Sequence, residues 1–396
     1  MKRFASRVEK KVQQYKSVFQ DRGIAGLTKA IGEELDEWKN ERINIAVTGQ
    51  AGSGKSTFIN ALRGLYADQD GAAPVGSETT TTTPRPYAHP NNAKCIMWDL
   101  PGIGTDSFPL DTYLKTINPA EFDFFVIVSC SRFTENDIFL AHAIEATGKH
   151  FYFVQTKFSD ALHNESLKRK GKRPDENKLK EIVVSECQKN LAEFKSFNNI
   201  FVIDSYTKDR FDFHYLAKRL VHDLEKISEK KQVALTLTLS AMTREAIEEK
   251  KIILEKRISG IALKTAVAPR LFGSDTKVLM EEKEFYRKQF GLDKEAIARD
   301  AEASSIGPQL KDIISNLRLK EKCSIANTEQ NNAIEKCIPF LTCAFNIYKT
   351  YTAGKVWLKQ TLDYLAESAI DINSRMVEEV AGNDVTYASN SNSAGL

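Results

Sequence analysis

A glycine-rich loop between an apolar run and a helical run constrains the fold of this chain more than any other feature. Residues 49–56 read Gly-Gln-Ala-Gly-Ser-Gly-Lys-Ser, which matches G-x-x-x-x-G-K-[ST], and they join the strand-like run 43–48 to the helical run 55–63. Glycines let a backbone turn tightly enough for successive N–H groups to point at phosphate oxygens, and the helix that follows adds the positive end of its dipole. The pattern predicts a phosphate-binding loop that includes Gly49, Gly52, Ser53, Gly54, Lys55, Ser56 and Thr57.

The loop and a second motif together predict a metal-assisted phosphate site. Lys55 is expected to bridge the β- and γ-phosphates, and the Ser56 hydroxyl is expected to bind Mg²⁺. Asp99-Leu-Pro-Gly102 follows the strand-like run 93–98 and would place a carboxylate beside the metal's water shell and a glycine N–H near the γ-phosphate. A threonine-rich run at 79–83 lies between the motifs, and it either completes the metal shell as a switch loop does or forms part of an edge strand.

The distribution of apolar runs predicts two kinds of domain. Up to about residue 230, strand-like runs alternate with helical ones, which indicates an α/β domain with a mostly parallel sheet. Beyond that point helical patterns dominate, although Val233–Leu239 is ambiguous between a strand and a linker or helix start. The predicted divisions are an N-terminal helical segment at 1–40, an α/β domain at 41–230, a helical domain at 231–380 and a disordered tail at 381–396.

Composition narrows the compartment and the partners. Six dispersed cysteines without a C-x-x-C pair indicate reduced thiols, and the net charge of +3 does not suggest a nucleic-acid partner. No signal peptide, no run of about 18 apolar residues and no glycine after Met1 are present, so a cytoplasmic protein without a membrane span or N-myristoylation is predicted. Residues 2–22 have a basic amphipathic pattern, which favours packing on a neighbouring domain or contact with an anionic membrane surface.

From the residues alone, this is a Mg²⁺-dependent P-loop nucleoside triphosphatase with switch loops. Its sequence also resembles the immunity-related GTPases, the interferon-inducible family with a Ras-like P-loop G domain and an α-helical domain built from both chain ends. The resemblance rests on V47-T-G-Q-A-G-S-G-K-S-T-F-I-N-A-L-R63, G71-A-A-P74, W98-D-L-P-G-I-G104 and F285-Y-R-K-Q-F-G-L292. It covers about residues 20–370 and places this chain in the group with lysine before the serine, through Lys55.

The resemblance implies specific catalytic residues. Ile103 follows Gly102 at the position where small GTPases have a glutamine that orients the attacking water, and isoleucine cannot do so. In the family, a switch-loop glutamate and contacts across a G-domain dimer serve this purpose. Glu78 matches that glutamate, and Thr80 or its neighbour Thr79 matches a metal-shell threonine. The catalytic set is therefore expected to be Lys55, Glu78, Thr80 and Gly102, with Ser56, Thr80 and Asp99 around Mg²⁺.

The base-reading segment departs from its expected pattern. A guanine loop would read [NT]-K-x-D, and Thr156-Lys157-Phe158-Ser159-Asp160 has its carboxylate one residue late. The loop is expected to bulge by one residue so that Asp160 reaches the base; otherwise guanine selectivity is relaxed. Ser205 lies where the family has another base-contacting loop.

The leading functional prediction is a GTPase that binds GTP or GDP and hydrolyses GTP on self-assembly in innate defence. The expected partners are a homodimer through the G domain, higher oligomers, related GTPases and an intracellular membrane surface, with peripheral association and no nucleic acid. Two alternatives stay open at this point. One is a nucleotide-gated scaffold with weak hydrolysis and relaxed guanine specificity, and the other is a P-loop kinase or ATPase.

Overall fold

The computed structural model of this chain describes residues 2–76, 83–103, 117–130, 133–169, 172, 174–195, 199–208, 210–225, 228–239, 243–267, 274–293 and 342–390. Within these ranges, side chains are described except at 2–12, 225, 274–276, 342–348 and 376–390. The chain divides into two compact units: Trp38–Met242 forms one, and Met1–Glu37 together with Thr243–Leu396 forms the other. We refer to them as the G unit and the helical unit. The helical unit is built from both chain ends, as the resemblance implied.

A six-stranded sheet forms the centre of the G unit, in the order β2-β3-β1-β4-β5-β6. Its strands are β1 (Ile43–Gly49), β2 (Arg85–His89), β3 (Asn92–Asp99), β4 (Phe124–Ser129), β5 (Phe151–Gln155) and β6 (Ile200–Val202). Neighbouring strands are parallel except for β2 and β3, which are antiparallel. The prediction of an α/β fold with a mostly parallel sheet is therefore confirmed.

Burial explains why the central strands are apparent in the sequence and the edge strand β2 is not. Every residue of β1, β4 and β5 is buried, as expected for central parallel strands covered on both faces, and such strands appear as continuous apolar runs. Strand β2 lies at the sheet edge and is largely exposed, and it contains Pro86. Proline is tolerated at sheet edges, but polar, proline-containing edge strands give little sequence signal.

The G unit contains helices α2 (Lys55–Arg63), α3 (Glu135–Glu145), α4 (Phe158–Lys168), α5 (Glu176–Asn190), α6 (Phe213–Glu225) and α7 (Glu229–Thr238). Helix α7 resolves the ambiguous segment: most of Val233–Leu239 is helical, and the consecutive residues 234–238 are all buried. Asn92 Nδ2 donates to Thr238 Oγ1 over 3.1 Å, and Lys231 Nζ lies 2.6 Å from Asp123 Oδ1. These contacts hold α7 in the G unit, so that unit extends beyond residue 230 to Met242.

The helical unit contains α1 (Lys2–Leu35), α8 (Arg244–Val267), α9 (Ser274–Gln289) and α10 (Thr342–Asn390). Gly23 interrupts α1 with non-helical backbone angles (φ 63°, ψ −163°). Gly260 lies inside α8. A Cβ built at Gly260 would lie 2.8 Å from Leu35 Cδ2, so this glycine allows α1 and α8 to approach closely.

Parts of the predicted helical domain and tail need correction or lie outside the described residues. Residues 294–341 of the helical domain predicted at 231–380 are outside the described residues. The tail predicted to be disordered from residue 381 is helical as far as Asn390. Extending an existing helix costs much less than nucleating one, so a polar segment without proline can continue the long α10. Among the described residues, no helix combines the length and apolar character needed to cross a membrane.

The sheet order determines where a ligand site can form. The chain passes from β3 on one side of β1 to β4 on the other, so the loops after β1 and β4 diverge at the carboxyl edge of the sheet. In open α/β sheets, ligands bind in the crevice at such a switch point. The loop after β1 is the glycine-rich loop.

Candidate nucleotide-binding site

The loop between β1 and α2 has a backbone that requires glycine at three positions. Gly49, Gly52 and Gly54 all have positive φ angles, of 140°, 76° and 92°. A Cβ built at Gly49 would lie only 2.1 Å from the carbonyl oxygen of Val128, so no other residue fits there. This conformation leads directly into α2, which begins at Lys55 with Ser56 and Thr57 in its first turn.

Lys55 is buried inside the loop. Its Nζ donates to the carbonyl oxygen of Gln50 over 2.9 Å and lies 3.4 Å from that of Gly49. Burial lowers the pKa of the Lys55 ammonium below its ordinary value, and the nearby Asp99 and Cys130 partly oppose this shift. A buried ammonium that donates to neutral carbonyls is well suited to a charged phosphate oxygen, which gives a stronger hydrogen bond.

Ser56 and Asp99 lie together, as a shared metal site requires. The Ser56 hydroxyl donates to Asp99 Oδ2 over 2.7 Å, although the two residues are 43 positions apart in the sequence. Asp99 is 1% exposed and ends β3, where it pairs with Val47 of β1. A hydroxyl and a buried carboxylate are hard oxygen donors, the kind of ligand that suits Mg²⁺. Glu78 and Thr80 lie outside the described residues.

The D-x-x-G segment packs against the phosphate loop. A Cβ built at Gly102 would lie 2.9 Å from the amide nitrogen of Ala51, so this position also needs glycine. The next residue, Ile103, is 2% exposed and belongs to the core cluster with Ala46 and Leu100. Its side chain is therefore directed into the core.

The predicted base loop is attached to the phosphate loop by its first two residues. Thr156 Oγ1 donates to the carbonyl oxygen of Ser53 over 2.8 Å. Lys157 has a left-handed backbone (φ 58°), and its Nζ donates to the carbonyl oxygen of Gly52 over 3.1 Å. Left-handed backbone is unusual for a residue other than glycine and often marks a functional site.

The one-residue bulge expected in this loop is absent. Helix α4 begins at Phe158, directly after Lys157, and Ala161 N donates to the Lys157 carbonyl as in a regular helix. Ser159 thus keeps the position that the motif assigns to a carboxylate, and Asp160 follows it on the helix with an exposed side chain. The first backbone N–H groups of a helix have no partner within the helix. Helix α4 can therefore begin directly after Lys157 without a bulge.

Sequence reasoning chose Ser205 in the neighbouring loop and overlooked the residue before it. Asp204 Oδ2 accepts from the Ser159 amide over 3.3 Å, and Asp204 Oδ1 accepts from the Tyr206 amide over 2.9 Å. Ser205 is also buried, and its hydroxyl has no hydrogen-bond partner among the described residues. The available sequence signal was a carboxylate directly after a strand, at the same sheet edge as the phosphate loop.

The sheet, the glycine-rich loop, the buried lysine and the Ser–Asp pair define a P-loop protein with the strand arrangement of a G domain. The profile of the family described as Interferon-inducible GTPase (IIGP) matches residues 8–380. The chain therefore belongs to the interferon-inducible GTPase family and is a GTPase, which confirms the resemblance drawn from the sequence.

Individual relatives agree with this assignment. Interferon-gamma-inducible GTPase 10 of Mus musculus is 35% identical over 301 residues, which cover 74% of this chain and 71% of that protein. Interferon-inducible GTPase 5 of Rattus norvegicus is 30% identical over 398 residues, 94% of this chain and 83% of that protein.

Similar solved structures include a probable GTP-binding protein engB, with a TM-score of 0.32 and 14% identity over 46% of this chain and 99% of that one. Another is Era in complex with MgGDPNP and a segment of 16S ribosomal RNA, with a TM-score of 0.33 and 19% identity over 46% of this chain and 56% of that one.

Proposed function

We propose that this GTPase binds GTP and GDP with Mg²⁺ and hydrolyses GTP when two G units associate. The observation that carries the proposal is the direction of Ile103. Its side chain is buried in the core, so a single subunit has no residue at this position that could orient the attacking water. Positioning of that water is a large part of GTPase catalysis, and in other GTPases a partner often supplies the missing group.

The residues of the candidate site divide into three groups in this proposal: those that hold the phosphates, those that hold the metal and those that surround the base. The loop amides and Lys55 hold the phosphates, and Gly102 lets the D-x-x-G segment approach the γ-phosphate. Ser56 and Asp99 would hold Mg²⁺, with Thr80 as a further ligand. When bound, this ion neutralises the charge that develops on the phosphate oxygens. Thr156, Lys157 and Ser205 would surround the base.

Glu78 is the proposed catalytic carboxylate of the switch segment. Glu78→Ala should remove most GTP hydrolysis while leaving GDP binding intact, because the diphosphate does not need this group. The matched control is Glu41→Ala, which removes a half-buried carboxylate just before β1. Full hydrolysis by Glu78→Ala at high protein concentration would exclude this role.

The proposed cellular role is cell-autonomous innate defence at intracellular membranes, through homodimers, higher oligomers and related GTPases. Family membership supports it, as do the basic residues of segment 2–22 and the exposed side chains of Phe19 and Ile24 on α1. Sedimentation with vesicles of neutral or anionic lipid tests the membrane part. Binding to anionic vesicles that is lost when the lysines of 2–22 are replaced by glutamine is the expected result, and recovery of the protein only in the supernatant would reject it.

The second candidate is a nucleotide-gated scaffold with little hydrolysis. The same burial of Ile103, and Ser159 in place of a carboxylate, favour it. Turnover measured over a range of protein concentrations separates the two, since a scaffold stays slow at every concentration while an assembling enzyme accelerates.

A further inference from the structure

Two loops meet at the start of helix α4. Strands β5 and β6 are parallel neighbours, with Gln155 paired to Val202, so the loops that follow them lie side by side. The backbone continues this pairing beyond the strands: Ile203 N donates to the Gln155 carbonyl over 2.8 Å, and Phe158 N donates to the Ile203 carbonyl over 3.3 Å. The residues after Phe158 and after Ile203 are therefore brought together.

One of these loops has a carboxylate beside the position where the other lacks one. Asp204 is 6% exposed, and its Oδ2 accepts from the Ser159 amide over 3.3 Å. Ser159 is the residue that a [NT]-K-x-D motif would replace by aspartate. The missing negative charge is thus restored within hydrogen-bond distance of the Ser159 backbone, from a different strand.

The Asp204 carboxylate has both the charge and the spare capacity to bind a base. Its two oxygens offer about four acceptor positions, and the Ser159 and Tyr206 amides occupy one on each oxygen. Guanine presents two adjacent donors, N1–H and the 2-amino group, which one carboxylate can accept together.

The residue next to Asp204 offers the complementary donor. The Ser205 hydroxyl is buried and has no hydrogen-bond partner among the described residues. A buried hydroxyl without a partner costs free energy unless a ligand supplies one, and guanine O6 is an acceptor on the same edge as N1–H. Asp160 lacks such surroundings, because it lies on the exposed side of α4.

We propose that Asp204 is the guanine-reading carboxylate of this GTPase and that it replaces, from the loop after β6, the aspartate absent at position 159. This inference rests on the proposed function, because it concerns the same GTP and GDP site. It assigns base specificity to a residue outside the predicted base-reading segment 156–160.

The first test is Asp204→Asn, with affinities measured by fluorescent-nucleotide competition for GDP, XDP and ADP. The amide keeps an acceptor oxygen for a backbone N–H, but it replaces the second acceptor by a donor. We expect GDP to weaken by roughly ten- to a hundredfold and XDP to bind better relative to GDP, because xanthine has an oxygen where guanine has the 2-amino group. Asp160→Asn is the matched control and should leave both affinities unchanged.

A merely structural role for Asp204 predicts a different result. If its carboxylate only fixes the two loops, Asp204→Asn will weaken GDP and XDP by the same factor or leave both unchanged, and either result overturns the assignment. The double change Ser159→Asp with Asp204→Ser should restore preference for GDP, since it exchanges the carboxylate and the hydroxyl. Failure of a folded double variant to do so also counts against the proposal.

Ser159→Asp alone keeps the proposal testable if Asp204→Asn does not fold. It would place a second carboxylate beside Asp204, so GDP should bind more weakly; tighter binding would show that the site had lacked an acceptor. A wild-type protein that binds ADP as well as GDP overturns this inference while leaving the phosphate site intact. A wild-type protein that binds none of these nucleotides overturns the proposed function as well.

Discussion

The Ile103 amide donates a 3.2 Å hydrogen bond to the carbonyl oxygen of Gly49, the first residue of the phosphate loop. This bond holds the segment after β3 against the loop after β1, and Gln50 and Ile103 form a parallel bridge at the same point. The backbone of Ile103 therefore helps to shape the site while its side chain is buried away from it. The two roles are separate, and this separation leads to the first prediction.

GTP turnover per molecule should rise with protein concentration, by roughly tenfold or more between dilute and concentrated protein, because a second subunit must supply what Ile103 cannot. Steady-state phosphate release across the concentration range measures this effect. GDP affinity at each dilution is the control, because loss of bound nucleotide from dilute protein would also lower the turnover. Constant specific activity at full nucleotide occupancy would contradict the prediction.

Lys55→Ala should weaken GTP binding and abolish GTP hydrolysis. Lys55 is the buried cation of the phosphate loop, and removing it deletes a charged contact to the β- and γ-phosphates, which should weaken GTP by about tenfold or more. Equilibrium binding and single-turnover hydrolysis provide the measurements. Lys94→Ala removes an exposed lysine of β3 and serves as the matched control. Unchanged GTP affinity and turnover in a folded Lys55→Ala protein would exclude the phosphate site.

Removal of Mg²⁺ should weaken GTP binding in the wild type, and Asp99→Asn should make binding far less sensitive to the metal. The reason is the 2.7 Å contact between Ser56 and Asp99, through which Asp99 would orient the Ser56 hydroxyl as well as help to hold the metal. Loss of such support typically lowers metal affinity by about 10- to 100-fold. Titrations of the affinity for a non-hydrolysable GTP analogue with MgCl₂ against EDTA test this. An Asp99→Asn protein with the Mg²⁺ dependence of the wild type would reject the assignment.

The helical unit should become more stable as pH rises above neutrality, because of Lys250. Burial lowers the pKa of this ammonium to about 7, from an ordinary value of 10.5. Between these values the unfolded chain binds more protons than the folded one, so the free energy of unfolding increases with pH. Below pH 7 both states are protonated, and the cost of burying the charge is fully present.

Lys250→Met should therefore stabilise the protein at pH 7 by on the order of 1–4 kcal/mol and flatten the rise in stability between pH 7 and 10. The lost hydrogen bond from Lys250 Nζ to the Gln289 carbonyl, 2.9 Å long, offsets part of this gain. Denaturant unfolding at several pH values measures both effects. Lys256→Met, at an exposed position on the same helix, is the control, and an identical pH profile for the two variants would disprove the role of Lys250.

The sequence by itself predicted the conformation of the glycine-rich loop, because that information is local. The loop from Gly49 to Ser56 bends sharply and then starts α2, and its three glycines with positive φ allow that bend. The buried strands were predictable for a similar reason, since β1, β4 and β5 are apolar throughout. Strand β2 was not, because an exposed edge strand has no such pattern. The alternation of apolar residues and threonines in Val233–Leu239 also concealed helix α7, because these residues are buried by helix packing and not by strand pairing.

Tertiary structure alone decided which carboxylate lies beside the base loop. Asp160 is adjacent to Ser159 in sequence, but the first turn of α4 leaves it exposed. Asp204 is 45 residues from Ser159, and its carboxylate accepts a hydrogen bond from the Ser159 amide. That contact exists only because β5 and β6 pair in one register, which brings together the loops at their carboxyl ends. Strand pairing depends on hydrogen bonds between distant segments, and no local pattern in the sequence specifies it.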